Sequence, residues 1–193
     1  MAGWWGDDTS ARFVVPFAAF FGGMAQFLAG MWAYRARDGL TTAMHGMWGS
    51  FWLAYGVMYL LGVLTVPTVP TGAFVALGYW FIVPAAITWA GVAAVLNESV
   101  ALTAVLTLLA AGSTFAAIGF TAGVSWAETV AGRLFVGSAL VAWYVASAMM
   151  LENSYDRAVL PVGRRRPDPD DRQVGSPELI QFRSGEPGLK HGQ

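Results

Sequence analysis

Few side chains in this sequence could do chemistry, and most of them sit among apolar neighbours. Gln26 falls between Gly22 and Gly30 at four-residue spacing, with Gly23 and Ala29 beside it, so a helix there carries one amide on a face of small residues. In lipid an amide needs a partner or water; it either bonds another helix across a packed seam or lines a wet path. Trp48, Trp52, Tyr55 and Tyr59 follow at spacings of four, three and four and share a helix face. That stripe is packing, an interfacial belt or the wall of a narrow pore. His45, one turn before Trp48, is either an interfacial histidine or a proton relay. Pro84 frees a backbone carbonyl, which the Thr88 hydroxyl or water can satisfy. Ser113 and Thr114, after Gly112, add hydroxyls near the middle of a later apolar run, and Ser138, Ala142 and Ala146 form a small-residue ridge suited to helix association.

These groups suit hydrogen bonding along a path and make no bond-breaking constellation. There are no cysteines, which excludes thiolate catalysis and Cys-based zinc sites. With only His45 and His191, an all-His metal site would need a second copy of the chain. No P-loop, HExxH, Ser-His-Asp set or pair of carboxylates in a plausible pocket is present. The sequence therefore points to no enzyme, cofactor or metal. A net charge of -1 and a pI of about 6.1 give no basic surface for nucleic acid.

The elements that must position these residues follow from composition. Of the 193 residues 56% are hydrophobic and 12% charged, with a mean hydropathy of +0.52; soluble domains run at about 45–50% apolar and about 25% charged. Of the 23 charged residues 14 fall in 152–193, and between Gly39 and Leu151 only Glu98, Glu128 and Arg133 occur. A charge at a bilayer centre costs about 2.5–3.5 kcal/mol on insertion scales, so this pattern predicts membrane spans. Five runs have the required length: about Phe13–Tyr34, Ala43–Val66, Gly72–Leu96, Val100–Thr121 and Thr129–Leu151. They are long and continuous, not alternating, which predicts helices over barrel strands. The fold class is all-α, a polytopic integral membrane protein with five transmembrane helices. Its parts are an extracytoplasmic segment 1–12, a helical domain 13–151 and a cytoplasmic tail 152–193.

Arg35, Arg37, Asp38 and Gly39 end the first run, Pro67 and Pro70 make a proline turn after the second, Asn97 and Glu98 form a short third connection, and Gly123 to Glu128 a fourth. The first run is too long for a secretory signal peptide, and Asp7 and Asp8 replace the usual basic flank. Arg35, Arg37, Arg157 and Arg164 to Arg166 place the first connection and the tail in the cytoplasm of the inner (plasma) membrane, with Met1 outside. The proline-rich, mixed-charge tail is expected to be largely disordered. Its Arg164–Arg166 triplet serves as a topology-fixing stop or holds anionic lipid headgroups.

FFGGMAQFLAGMW at Phe20–Trp32, WGSFWL at Trp48–Leu53 and ENSYDRAVLPVG at Glu152–Gly163 resemble the acetate uptake transporter family, the succinate–acetate proton symporters of bacteria with their fungal ammonia/acetate relatives. The resemblance runs from about Phe13 to Gly163. It implies a six-helix protomer, assembly as a homohexamer and a pore in each protomer for acetate and related short carboxylates, with uptake linked to protons. It places Trp48 (often Tyr in the family) and Leu109 at the pore's pinch and Ala142 at a pore-side position that influences substrate size. It also puts Gln26 in the glycine-rich signature and Ser50 and Phe51 in the aromatic signature.

This chain departs from the family in several places. The family's opening Asn-Pro-Ala-Pro-Leu-Gly-Leu signature is missing, so the five runs would be the family's second to sixth helices. Ala33 stands where Glu is common, and His45 and Pro84 stand where larger apolar residues are expected. The expected mechanism is single-file passage of acetate, with Trp48 and Leu109 as a dry pinch and Gln26, Ser113 and Thr114 as polar contacts. No span carries Asp, Glu or Lys near its middle, so the proton is expected to move with the anion or as the neutral acid. The alternatives are an ammonia or small-solute channel and a non-transporting structural or sensory subunit.

Overall fold

The computed structural model describes residues 10–65 and 71–165, with side chains over 13–62 and 74–165. The turn expected at Pro67 and Pro70, most of the segment 1–12, Arg166 and the rest of the tail lie outside the described residues. Five helical rods follow one another. The first joins α1 (Ser10–Phe17), a π-helical stretch (Ala18–Ala25) and α2 (Gln26–Arg35). The others are α3 (Gly39–Thr65), α4 (Thr71–Val95), α5 (Val100–Ala122) and α6 (Ser125–Tyr155). The only β pairing among the described residues is a single bridge between Ser99 and Arg164.

The first rod, α4, α5 and α6 are long and apolar enough to cross a bilayer. With 27 residues, α3 has the length, about 40 Å at the rise of an α-helix. Its apolar run is diluted by five glycines, His45 and several hydroxyls.

Local chemistry sets the boundaries. Asp38 starts α3 by accepting the Thr41 amide at 2.9 Å. Ser99 does the same for α5, accepting the Leu102 amide at 3.1 Å. Gly123 ends α5 in the left-handed region (φ 65°), and the Val124 amide returns to the Gly119 carbonyl at 2.9 Å. Helix α6 resumes at Ser125, so the fourth connection is only Gly123 and Val124. The helix itself takes in Glu128, whose charge suits a first turn.

The rods pack as two groups. The first rod lies on α3 through a glycine seam, where a Cβ on Gly30 would stand 2.8 Å from the Gly46 nitrogen and one on Gly49 would stand 2.6 Å from the Phe27 nitrogen. Backbones come this close only where side chains are absent. In the second group α4 packs on α5 and α5 on α6. Between the groups, among the described residues, only α3 and α4 approach at backbone level; α3 and α5 nowhere come within 8 Å, Cα to Cα. Side chains fill the space instead.

Beyond Tyr155 the chain turns at Asp156 (φ 50°) and runs back as a strap, residues 156–165, over the α4–α5 connection. The Val100 and Ala101 amides donate to the Gly163 and Val162 carbonyls at 3.0 and 3.1 Å, and the Arg165 amide donates to Glu98 O at 2.8 Å. The Tyr144 hydroxyl donates to Pro161 O at 2.8 Å. Arg164 forms a two-pronged ion pair with Glu152, and the Arg165 guanidinium donates to Leu96 O at the end of α4. The stretch 153–165, which composition assigns to a disordered tail, is thus helical to Tyr155 and then bonded down. Two arginines of the triplet have partners inside the protein.

Candidate functional site

The buried face of α4 carries Phe81, Pro84, Ala85, Thr88, Val92 and Val95, at the three- and four-residue spacing of one helix side. Trp48 and Phe51 on α3 point towards it, each 5% exposed. On α5 the buried residues nearby are mostly small: Ala110, Ser113, Ala116 and Ala117. Large rings thus extend from α3 and α4 towards a wall of alanine and serine.

Phe51 is the hub. Its ring lies 5.6 Å from Trp48 edge-on, 5.3 Å from Phe81, 5.2 Å from Trp52 and 6.0 Å from Tyr55. Phe81 also stacks on Phe120 and on Phe135 of α6, each at 6.1 Å. Leu109 packs against this plug, so Trp48, Phe51 and Leu109 come together in one cluster. Towards the start of α3 a second apolar layer follows, formed by Met44, Val92, Val95, Leu106 and Ala110.

The polar groups divide by what their protons do. Ser113 is fully buried one turn from Leu109 and donates to the Leu109 carbonyl at 2.8 Å. Thr114 donates to Ala110 O at 2.9 Å and accepts from the Trp89 indole at 3.2 Å, away from the plug. Ser50 is exposed and donates to Gly46 O at 2.7 Å. Gln26 opens α2 half-buried, with no side-chain hydrogen bond to the described residues. Ala142 is half-buried, one turn from Ser138, whose hydroxyl donates to Val105 O of α5 at 2.9 Å. It therefore falls nearer the start of α5 than Leu109 does. His45 bonds the Thr41 carbonyl of its own helix through Nδ1 at 3.1 Å.

The aromatic stripe does not act as one wall. Trp48 faces α4 and α5, whereas the Trp52 ring lies on Gly22, 3.3 Å from where a Cβ would be. Three residues contribute that were not singled out for the site. Thr88, fully buried, accepts the Trp48 indole N–H at 3.3 Å. Phe81 and Phe135 complete the plug. Phe81, Pro84 and Thr88 stand at spacings of three and four, which already places them on one face. Phe135 carried no such signal, because the pattern of α6 is set by its small residues.

The chain matches the GPR1/FUN34/yaaH family over residues 7–163. It is 26% identical over 155 residues to the succinate-acetate/proton symporter SatP of Escherichia coli K12, covering 78% of this chain and 79% of that protein. It is 42% identical over 43 residues to the meiotically up-regulated gene 86 protein of Schizosaccharomyces pombe, a match spanning 22% of this chain and only 14% of the yeast protein. The fold is similar to that of the bacterial acetate channel SatP, with a TM-score of 0.74 at 26% identity over 84% of this chain and 87% of that one. With five apolar rods arranged as in that channel and a family match over most of its length, this chain is a membrane-spanning member of the GPR1/FUN34/yaaH family.

Proposed function

We propose that this protein carries acetate and related short monocarboxylates across the membrane, with uptake linked to protons. The observation that carries this reading is the plug itself. Trp48, Phe51, Phe81 and Leu109 close a space that the backbones of α3 and α5 leave open, in a fold shared with a bacterial acetate channel. A bare carboxylate cannot cross hydrocarbon without compensation, so a path must supply hydrogen-bond donors or take the neutral acid. A dry ring-and-leucine constriction passes a small solute when the rings turn aside and excludes water when they close, which is gating by dewetting. The spans carry no acid or lysine near their middle, so the proton travels with the anion.

The protein sits in the plasma membrane with the α2–α3 connection and the strap on the cytoplasmic side. Arg35 and Arg37 at one and Arg164 and Arg165 at the other support this. It assembles as a homohexamer with one lane per protomer, in keeping with the family that its sequence motifs resemble. The test is uptake of radiolabelled acetate into vesicles holding the purified chain. An inward proton gradient should speed uptake over protein-free vesicles, and equal rates in both would refute the reading. Stopped-flow swelling with ammonia in the same vesicles separates an ammonia channel from an acid transporter.

A further inference from the structure

Among the hydroxyls described above, Thr88 differs in the fate of its proton. Ser50, Ser113, Thr114 and Ser138 each donate to a backbone carbonyl. Thr88 instead accepts, because the indole Nε1 of Trp48 can only donate. Its own O–H has no acceptor among the described residues, although the side chain is fully buried. A buried donor without an acceptor carries a desolvation cost that a passing acceptor would relieve. The indole bond also fixes where the hydroxyl lone pair lies and polarises the O–H, making it a better donor. Pro84, one turn earlier on the same buried face, has no backbone N–H, which loosens the helix beside this group.

We propose that the Thr88 hydroxyl, oriented by the Trp48 indole, is the donor that receives a carboxylate oxygen at the plug, and so selects acids there. The proposal rests on the transport reading above. A carboxylate would complete a chain of donors from indole to hydroxyl to anion, supplying the acceptor that the site lacks. Ser113 and Thr114 cannot do this without giving up a backbone bond.

The experiment measures acetate uptake by the full chain in vesicles for wild type, Thr88→Val, Thr88→Ser, Trp48→Phe and the Thr88→Val/Trp48→Phe pair. Thr88→Val keeps the shape and removes the donor; the apparent KM for acetate should rise about ten-fold or more, as expected for one charge-assisted hydrogen bond. Thr88→Ser should restore it to within about two-fold of wild type. In the Trp48→Phe background, Thr88→Val should still raise KM. If its effect vanishes there, Thr88 only anchors the indole and the proposal falls. If Thr88→Val does not assemble, Thr88→Ala makes the same test. Wild-type uptake with an unchanged Thr88→Val variant overturns this proposal alone. A wild-type chain that takes up no acetate overturns the transport reading and this proposal with it.

Discussion

Leu109 presents an aliphatic side chain to a plug otherwise made of rings, and one turn later its own carbonyl holds the Ser113 hydroxyl. Shortening it removes bulk from the constriction and leaves that hydrogen bond in place. Leu109→Ala should therefore admit bulkier acids such as lactate more readily, read as labelled lactate uptake raised relative to acetate uptake against the parent chain. It should also cost about 2–5 kcal/mol of stability if the space does not collapse. An unchanged substrate range would remove Leu109 from the path. The resemblance names Trp48 and Leu109 together, and the structure packs them in one cluster. The proton economy of the hydroxyls was not legible in the sequence. Whether Ser113 or Thr88 keeps a free donor depends on which carbonyl or indole lies within about 3 Å, and spacing along one helix does not fix its distance to another. Gln26 shows the same limit, since the glycines around it read equally as a seam or a cavity.

At the scale of the rods, the first connection and the α4–α5 turn were readable from Arg35, Arg37 and Asp38 and from Asn97 and Glu98, because hydropathy changes abruptly there. The π-helical stretch was not, since FFGG has no composition that distinguishes a wider coil from an α-helix. The structure resolves the glycines around Gln26 as a seam: Gly30 and Gly49 hold the first rod against α3 at backbone distance. Gly49→Leu should force these rods apart, costing about 1–3 kcal/mol or more as overpacking. The thermal unfolding temperature in detergent would fall, whereas Gly39→Ala, with open space around it, should leave that temperature unchanged. The strap offers a second test. Gly163 has φ 66° and a Cβ there would stand 2.9 Å from Val100 Cβ, so Gly163→Val is both strained and crowded. It should free residues 156–165 to protease, whereas Arg164→Ala should cost at most about 1 kcal/mol, because the ion pair is partly exposed.

At the scale of the whole molecule, the strap bonds to the α4–α5 connection, so both lie on one side of the membrane. The absence of cysteine makes this easy to measure. Ala36→Cys and Val159→Cys should resist a membrane-impermeant maleimide added outside cells, and Ser125→Cys should react. The reverse pattern would invert the assigned orientation. Charge asymmetry and span count were sufficient for that expectation, but neither could show how the rods divide into two packed groups. Grouping is set by where small residues let backbones touch, which is a property of pairs of helices. Since α3 and α5 nowhere approach at backbone level among the described residues, opening the lane under the proposed transport reading asks only an indole to swing about two bonds, and no half of the protein to rock against the other. A local change of that kind avoids the microsecond-to-millisecond domain rearrangements of alternating-access carriers. Flux through each lane should then be limited by shedding water at the vestibule, giving the shallow temperature dependence of a conduit.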